Sequence, residues 1–158
     1  MGYLPITLAL LALLIIVSLI NLSSIKRHQQ ALSFALFSVC QTAQNRHTLL
    51  RRSKKLPTNL LCPDFPAKGK IPKQRAAEIV GLLQNEKENI LKSNFVLKEG
   101  DLPPRVQKSL LVLNQRQSIN LKVLERKIRE YNLLIEGYPT TLIAQAWNYK
   151  PIVLPTAE

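Results

Sequence analysis

Residues 4–22, LPITLALLALLIIVSLINL, form an almost entirely apolar stretch that decides how the rest of the chain is arranged. No charged side chain occurs between Met1 and Ile25. Nineteen helical residues rise about 28 Å, which is close to the hydrocarbon thickness of a bilayer. Because a backbone in lipid has to satisfy its own hydrogen bonds, the stretch is predicted to be helical. Residues 1–24 are therefore interpreted as a transmembrane anchor.

A cleaved secretory signal is the alternative interpretation of this stretch. Such signals typically have a basic segment before a shorter apolar core, followed by a small-x-small cleavage site. No Lys or Arg precedes the core here, and Val17-Ser18-Leu19-Ile20 offers no good cleavage site. An uncleaved anchor is therefore favoured.

The charges around the anchor predict its orientation. Lys26 and Arg27 follow it directly, whereas only the α-amino group precedes it. The positive-inside rule places the N-terminus outside and the bulk of the chain in the cytoplasm. Long domains also cross membranes regardless of charge, so an outside location of the bulk stays open.

The pattern beyond the anchor is helical. Between Ile25 and Leu50, apolar or small residues recur at steps of three and four, which places them on one helix face. Two polar side chains fall in the same stripe, which comprises Ile25, Gln29, Leu32, Leu36, Val39, Ala43, Arg46 and Leu50. The first helix is therefore expected to continue out of the membrane and to end before Leu56-Pro57.

Three further helices are predicted. The second starts near Pro72 or Lys73 and runs to about Val96, with an apolar set of Ala76, Ile79, Val80, Leu83, Ile90, Leu91 and Phe95. The third runs from Pro104 to about Glu136 with heptad-like spacing of Val106, Leu110, Leu113, Gln117, Leu121, Leu124, Ile128, Tyr131 and Ile135. Glu125–Arg129 and Arg126–Glu130 form i,i+4 pairs on its other side. A short helix from Thr140 or Thr141 to Trp147, capped by a threonine hydroxyl, closes the chain.

Together these elements predict an all-α protein. The anchor leads into an antiparallel helical bundle of three long helices and a short C-terminal helix, over residues 25–150, with a tail at 151–158. Residues 56–72, LPTNLLCPDFPAKGKIP, contain four prolines and are expected to form a basic loop.

Composition excludes several classes of protein. A length of 158 residues suits one domain, and two cysteines exclude a disulfide scaffold. His28 and His47 have no acidic neighbour in the sequence, and Glu86 and Glu88 are interpreted as solvated charges. A zinc site needs about four ligands, which makes metal binding through Cys40 and His47 a weak alternative. We therefore predict no catalytic residue, no cofactor, no metal and no small-molecule substrate.

Both ends of the chain resemble the LemA family. The first similarity is the anchor with Ile20-Asn21 near its end and Asn45-Arg46-His47-Thr48-Leu49-Leu50 beyond it. The second is the sequence Arg129-Glu130-Tyr131-Asn132 leading to Tyr138-Pro139, Leu142-Ile143-Ala144 and Trp147-Asn148-Tyr149-Lys150-Pro151. Val39, Cys40 and Thr48 stand where the family usually has acidic residues, and residues 51–100 show no resemblance.

The resemblance implies a short, divergent member of that family. It implies a bacterial single-pass membrane protein with a long helical bundle and no established enzymatic activity. The matching residues are given a structural role, in which Asn132 binds backbone groups near the turn and Trp147 and Tyr149 close the end of the bundle. An exposed aromatic docking site is the alternative. The matched set is Arg46, His47, Tyr131, Asn132, Tyr138, Pro139, Ala144, Trp147, Lys150 and Pro151.

The formal net charge of +12 lies mostly in the first half of the chain. Candidate contacts with lipid or an acidic ligand are Lys26, Arg27, Arg51, Arg52, Lys54, Lys55, Lys68, Lys70 and Lys73. Two functions remain: a non-enzymatic scaffold that binds a protein partner or itself, and a tethered basic module that holds an anionic lipid headgroup, polyphosphate or nucleic acid. Nucleic acid is disfavoured, because the basic stretch contains a single aromatic residue and no recognisable binding module.

Overall fold

The computed structural model of the chain describes residues 4–52, 76–98 and 102–154. Within these ranges the chain forms four helices, and no strand occurs in them. They are α1 (Leu4–Arg52), α2 (Ala76–Lys98), α3 (Pro104–Glu136) and α4 (Thr140–Ala146). The all-α prediction is confirmed. The basic loop predicted at 56–72 lies outside the described residues.

Helix α1 has two parts with different surroundings. From Pro5 to Ile16 every residue is exposed, although nearly all of them are apolar. From Ile25 onward one face is buried, and it contains all eight residues of the predicted stripe. By length and composition α1 is able to cross a membrane, and its apolar window has no buried residue. One unbroken helix therefore joins the apolar segment to the bundle.

Helix α3 packs antiparallel along the second part of α1. Gln117 Nε2 donates to the Val39 carbonyl at 3.1 Å, and Tyr131 is hydrogen-bonded to Gln29 nearer the apolar segment. The predicted bounds of α3 are confirmed, and its buried residues are Leu110, Asn114, Gln117, Leu121, Leu124, Ile128, Tyr131 and Ile135. The heptad-like stripe therefore packs within the chain.

The predicted ion pairs on the outer side of α3 are also present. The distance between Arg129 Nη2 and Glu125 Oε2 is 3.6 Å, and that between Arg126 Nε and Glu130 Oε1 is 3.7 Å. Both pairs follow from the i,i+4 spacing, which places the partners on one helix face.

The second half of helix α2 presents a different face to the core from the one predicted, whereas Ile79 and Leu83 in its first half are buried as predicted. Leu91 and Phe95 were assigned to the apolar face, but they are 69% and 63% exposed. The buried residues are Ile79, Leu82, Leu83, Glu86, Asn89 and Ser93. After Leu83 the inward residues are polar because they meet polar side chains of α1 and α3. Apolar spacing alone therefore selected the wrong face in the second half of this helix.

The direction of α2 follows from its contacts with α3. Lys87 pairs with Glu125, and Ser93 Oγ donates to Asn114 Oδ1, so the two helices are antiparallel. Helices α1 and α2 therefore run in the same direction, with α3 antiparallel to both. At the end of the bundle farthest from the apolar segment, Leu50, Leu102 and Leu110 form a small apolar cluster.

Helix α4 lies beside α1 at the other end of the bundle. Its predicted threonine cap is wrong, because Pro139 occupies the N-cap position and no side chain caps the helix. The Thr141 hydroxyl instead donates to the last carbonyls of α3, at 2.7 Å to Glu136 and 2.9 Å to Gly137. The Thr140 hydroxyl donates to Asn21 Oδ1 at 3.2 Å. These bonds attach the start of α4 to the end of α3 and to α1.

Candidate functional site

A layer of buried polar side chains divides the core of the bundle. The larger apolar cluster surrounds Leu36, Leu124 and Ile128, whereas the smaller one contains Leu50 and Leu110. Between them lies a set that we call the polar layer, which consists of Arg46, Glu86, Asn89, Ser93, Asn114 and Gln117. Buried polar groups are costly unless they are hydrogen-bonded, so the partners of this layer matter for stability.

An ion pair lies at the centre of the polar layer. Arg46 Nη2 on α1 is 2.7 Å from Glu86 Oε2 on α2, and the two side chains are 5% and 7% exposed. Gln117 Nε2 on α3 donates to the same carboxylate oxygen at 2.8 Å, and Asn89 Nδ2 donates to Glu86 Oε1 at 3.2 Å. The carboxylate therefore accepts hydrogen bonds from side chains of all three long helices.

Two further groups extend the polar layer along the bundle. Asn114 accepts a hydrogen bond from Ser93 Oγ at 3.1 Å and donates one to Asn94 Oδ1 at 2.9 Å. Arg46 Nη1 and Gln117 Oε1 are buried and have no hydrogen-bond partner among the described residues. A network of this kind is highly sensitive to the loss of one member, because the remaining groups stay buried.

The interpretation of Glu86 as a solvated charge is wrong. Its carboxylate is buried, whereas Glu88 Oε2 lies on the surface, 3.5 Å from Lys92 Nζ. A signal for Glu86 was present in the sequence. Arg46 falls in the apolar stripe of α1 and requires a buried counter-charge, and Glu86 follows Leu83 by three residues on the inward face of α2.

The matched C-terminal residues occupy the end of the bundle beside the apolar segment. Tyr131 is buried, and burial raises the pKa of its phenol, although the hydrogen bond with Gln29 acts in the opposite direction. Asn132 Nδ2 donates to the Ile152 carbonyl at 2.8 Å, and Ile152 N donates back to Asn132 Oδ1 at 2.9 Å. Asn132 therefore binds backbone groups, but those of the tail rather than those near the turn, and it holds the tail against α3.

The two aromatic residues that were expected to close the end of the bundle have different surroundings. Trp147 is 51% exposed, so core closure by this side chain is wrong, whereas Tyr149 is partly buried and packs against the core. Tyr138 is 85% exposed. Ala144 is buried, whereas Pro139, Lys150 and Pro151 are exposed. The inner side of α4 is occupied by Thr140, Ile143 and Ala144, which leaves the larger side chains outside.

Glu130 lies at the same end of the bundle, close to His28 of α1. Lys127 Nζ donates to Glu130 Oε2 at 2.6 Å and holds the pKa of this carboxyl below its ordinary value, against the effect of partial desolvation. The charges of Lys127, Arg126 and His28 act in the same direction as the hydrogen bond. The sequence showed no acid beside His28, and the packing of α3 on α1 supplies one.

The predicted basic contacts are not brought together among the described residues. Lys26 and Arg27 are exposed just beyond the apolar segment, and Arg51 and Arg52 are exposed at the far end of α1. Twenty-four residues of helix separate Arg27 from Arg51, which corresponds to about 36 Å. Lys54, Lys55, Lys68, Lys70 and Lys73 lie outside the described residues.

The structure also separates the two groups of residues that carry the resemblance to the LemA family. Arg46 is in the polar layer with His47 half-buried beside it, whereas the C-terminal set lies at the level of Asn21, about 38 Å away along α1. In the described ranges, no three His, Cys, Asp or Glu side chains are grouped to hold a metal ion. The molecule therefore has two separate regions of interest, the polar layer and the end beside the apolar segment.

Comparison of this chain with protein-family models, with curated proteins and with solved structures finds no match.

The polar layer predicts a large difference between two glutamates of α2. Replacing Glu86 by Ala leaves Arg46 buried without its counter-charge, so we expect the free energy of unfolding to fall by about 3–5 kcal/mol. Replacing Glu88 by Ala on the same helix removes an exposed pair and is expected to change it by less than about 0.5 kcal/mol. Denaturant unfolding in mild detergent, followed by circular dichroism, measures both values.

A double substitution provides the control for that prediction. In an Arg46→Ala background the Glu86→Ala change no longer strands a buried cation, so its cost is expected to be smaller by about 1–3 kcal/mol. Equal costs in both backgrounds would contradict the coupling of the two side chains.

Proposed function

We propose that this chain is a membrane-anchored scaffold protein, a short and divergent relative of the LemA family, without enzymatic activity. The observation that carries the proposal is α1 itself. Its first part is apolar and fully exposed, and its second part is a structural helix of the bundle. A helix of this kind transmits the position of the membrane directly to the packed domain, with no linker between them.

The exposure of the first part of α1 supports a lipid environment. Eight leucine and isoleucine side chains from Ile6 to Ile16 are each at least 52% exposed; they are Ile6, Leu8, Leu10, Leu11, Leu13, Leu14, Ile15 and Ile16. Soluble monomers rarely leave a contiguous apolar surface of this size in water. The α-helix also satisfies all backbone groups within the segment, as lipid requires.

The proposed location is the bacterial cytoplasmic membrane, with the N-terminus outside and the bundle in the cytoplasm. Two observations support it. The exposed Lys26 and Arg27 follow the segment directly, as the positive-inside rule requires of a cytoplasmic side. The resemblance of both chain ends to LemA supports the bacterial assignment.

The scaffold role is supported by apolar side chains exposed on the bundle beyond the anchor. On α1, Phe34 and Phe37 are 67% and 44% exposed and lie three residues apart. Because the heptad-like stripe of α3 is buried within the chain, we propose that a protein partner or a second copy binds at the phenylalanine pair rather than at α3. No small-molecule substrate or cofactor is proposed.

The alternative, a basic module for an acidic ligand, has less support from the described residues. Lys26-Arg27 and Arg51-Arg52 are separated by most of the length of the bundle. Only the first pair is near the proposed membrane surface, and charges farther away than about 10 Å are screened at physiological salt. A basic ligand site would therefore depend on residues 53–75.

The anchor predicts how charge in α1 affects membrane association. Replacing Leu10 and Leu14 by Arg places two charges near the middle of the span, each of which opposes insertion by about 2.5–3.5 kcal/mol. We expect the variant to be extracted from membranes by alkaline carbonate, whereas the native chain remains in the pellet. Phe34→Arg with Phe37→Arg, on the same helix outside the span, is the control and is expected to stay in the pellet.

The orientation predicts the labelling of a single thiol. Cys40 is buried. Because the bundle is proposed to lie in the cytoplasm, a membrane-impermeant maleimide is expected to label Cys62 in a Cys40→Ala background only after the cells have been opened. A Cys62→Ser variant gives the background signal. Labelling of Cys62 in intact cells would place the bundle outside.

The scaffold predicts crosslinks that do not depend on the basic loop. A photoreactive residue at position 34 is expected to crosslink a protein or a second copy of the chain in cells, both in the full chain and after deletion of residues 56–72. The same residue at position 126, on the charged face of α3, serves as the control. A crosslink that disappears with the deletion and with added salt supports the basic module instead.

A further inference from the structure

The end of the bundle beside the apolar segment reaches the level of the last residues of the proposed span. Thr140 begins α4 at the level of Asn21, to which its hydroxyl donates a hydrogen bond. Trp147 lines one open groove together with six residues of α1, which are Leu11, Leu14, Ile15, Ser18, Leu19 and Leu22. All six of these residues belong to the apolar stretch 4–22. Trp147 is therefore level with the part of α1 that is assigned to lipid.

The depth of this contact follows from the geometry of the helix. Leu11 and Leu22 are separated by about 16 Å along α1, so the centre of the groove lies about 8 Å below Leu22. Because Leu22 lies at the edge of the hydrocarbon layer, this groove begins at the boundary between headgroups and acyl chains and extends into one leaflet, over the depth of about 5–10 Å to which amphipathic helices insert. Tryptophan is enriched at this level because its large ring is apolar and its N–H group is polar.

The composition of this segment suits lipid better than water. Residues 137–149 contain no charged side chain. Their outer surface includes Tyr138, Leu142 and Trp147, which are 85%, 59% and 51% exposed. Large apolar side chains on and beside α4 therefore face outward together with the polar Gln145 and Asn148, while Ile143 and Ala144 face the bundle.

Most backbone amides of this segment are hydrogen-bonded, which lowers the cost of insertion into lipid. At the C-terminal end of α4 the chain reverses at Asn148, which has a φ of 56°. The amides of Trp147, Asn148 and Tyr149 donate to the carbonyls of Ile143, Gln145 and Ala144 at 2.8–3.0 Å. At the other end, Thr141 N donates to the Gly137 carbonyl at 2.9 Å. Few amides of the reversal are therefore unpaired, which keeps the free-energy cost of entering the leaflet low.

Charged residues lie just above this uncharged tip. Lys26 and Arg27 on α1 and Lys150 after the reversal are exposed. Glu136 is an exposed acidic group at the same end. Glu130 at this end is paired with Lys127 and Arg126, so cations outnumber anions on the surface above the tip, which complements the phosphates of an anionic leaflet.

From these observations we infer that residues 137–149 form a second membrane contact, an uncharged tip that inserts into the leaflet from which α1 emerges, with Trp147 at the acyl-chain boundary. The inference rests on the proposed anchoring of α1. Two contacts on one rigid bundle restrict its tilt and rotation relative to the bilayer, which α1 alone does not.

The single tryptophan of the chain provides the test. The full-length protein is reconstituted in vesicles of phosphatidylcholine with one quarter phosphatidylglycerol, whose acyl chains carry bromine either near the headgroup or near the terminal methyl. We expect bromine near the headgroup to reduce Trp147 emission at least about twofold, and bromine near the methyl end to reduce it less. Aqueous iodide is expected to have little effect.

A second variant serves as a matched control. Trp147→Phe combined with Phe34→Trp moves the probe to an exposed position of α1, about 18 Å beyond Leu22. Its emission is expected to be quenched by iodide and not by either brominated lipid.

Vesicle flotation separates failure of this inference from failure of the anchor. If the protein does not float with the vesicles, both proposals are overturned. If it floats and Trp147 is as accessible to iodide as the probe at position 34, the tip is in water and only the second contact is overturned. If it floats and neither bromine nor iodide quenches Trp147, another protein chain covers the tip, which also overturns the insertion.

Discussion

The packing of α3 along the second part of α1 is the contact on which the rest of the structure depends. Because α1 is a single helix, this contact determines where the bundle begins relative to the apolar segment, and it does so through buried residues such as Ile25, Leu36 and Leu124. The end of α3 then positions α4 beside α1. The proposed second membrane contact follows from this arrangement, whereas the proposed anchor follows from the apolar segment of α1 itself.

In the middle of the core, the polar layer contributes no more to stability than apolar side chains of similar volume would. Buried ion pairs contribute little net stability, and apolar replacements of similar volume are often neutral or stabilising. The hydrogen bonds that Glu86 accepts from Arg46, Gln117 and Asn89 nevertheless require a specific alignment of the three helices. We interpret the layer as a device that specifies the register of the bundle, because a shift of any helix would strand a buried charge.

Several features were predictable because they depend on local pattern. The stripe of α1, the bounds of α3 and the i,i+4 pairs at Glu125 and Glu130 follow from helical periodicity alone. The errors share a different cause. Leu91 and Phe95 were assigned inward, and Glu86 outward, because apolar spacing is informative only where the facing surface is apolar. The predicted threonine cap is absent because the Thr141 hydroxyl donates to a carbonyl at the end of α3 and the Thr140 hydroxyl donates to Asn21 of α1.

The sequence by itself determined the helical class, the extent of the apolar segment and the surplus of positive charge beyond it, since each of these depends on neighbouring residues only. The tertiary structure decided which faces meet, which polar groups are paired and how far α4 reaches along α1. Those outcomes depend on residues distant in the chain, such as Asn21 with Thr140 and Arg46 with Glu86. Local spacing carries no information about such partners, because their proximity arises only when the helices pack.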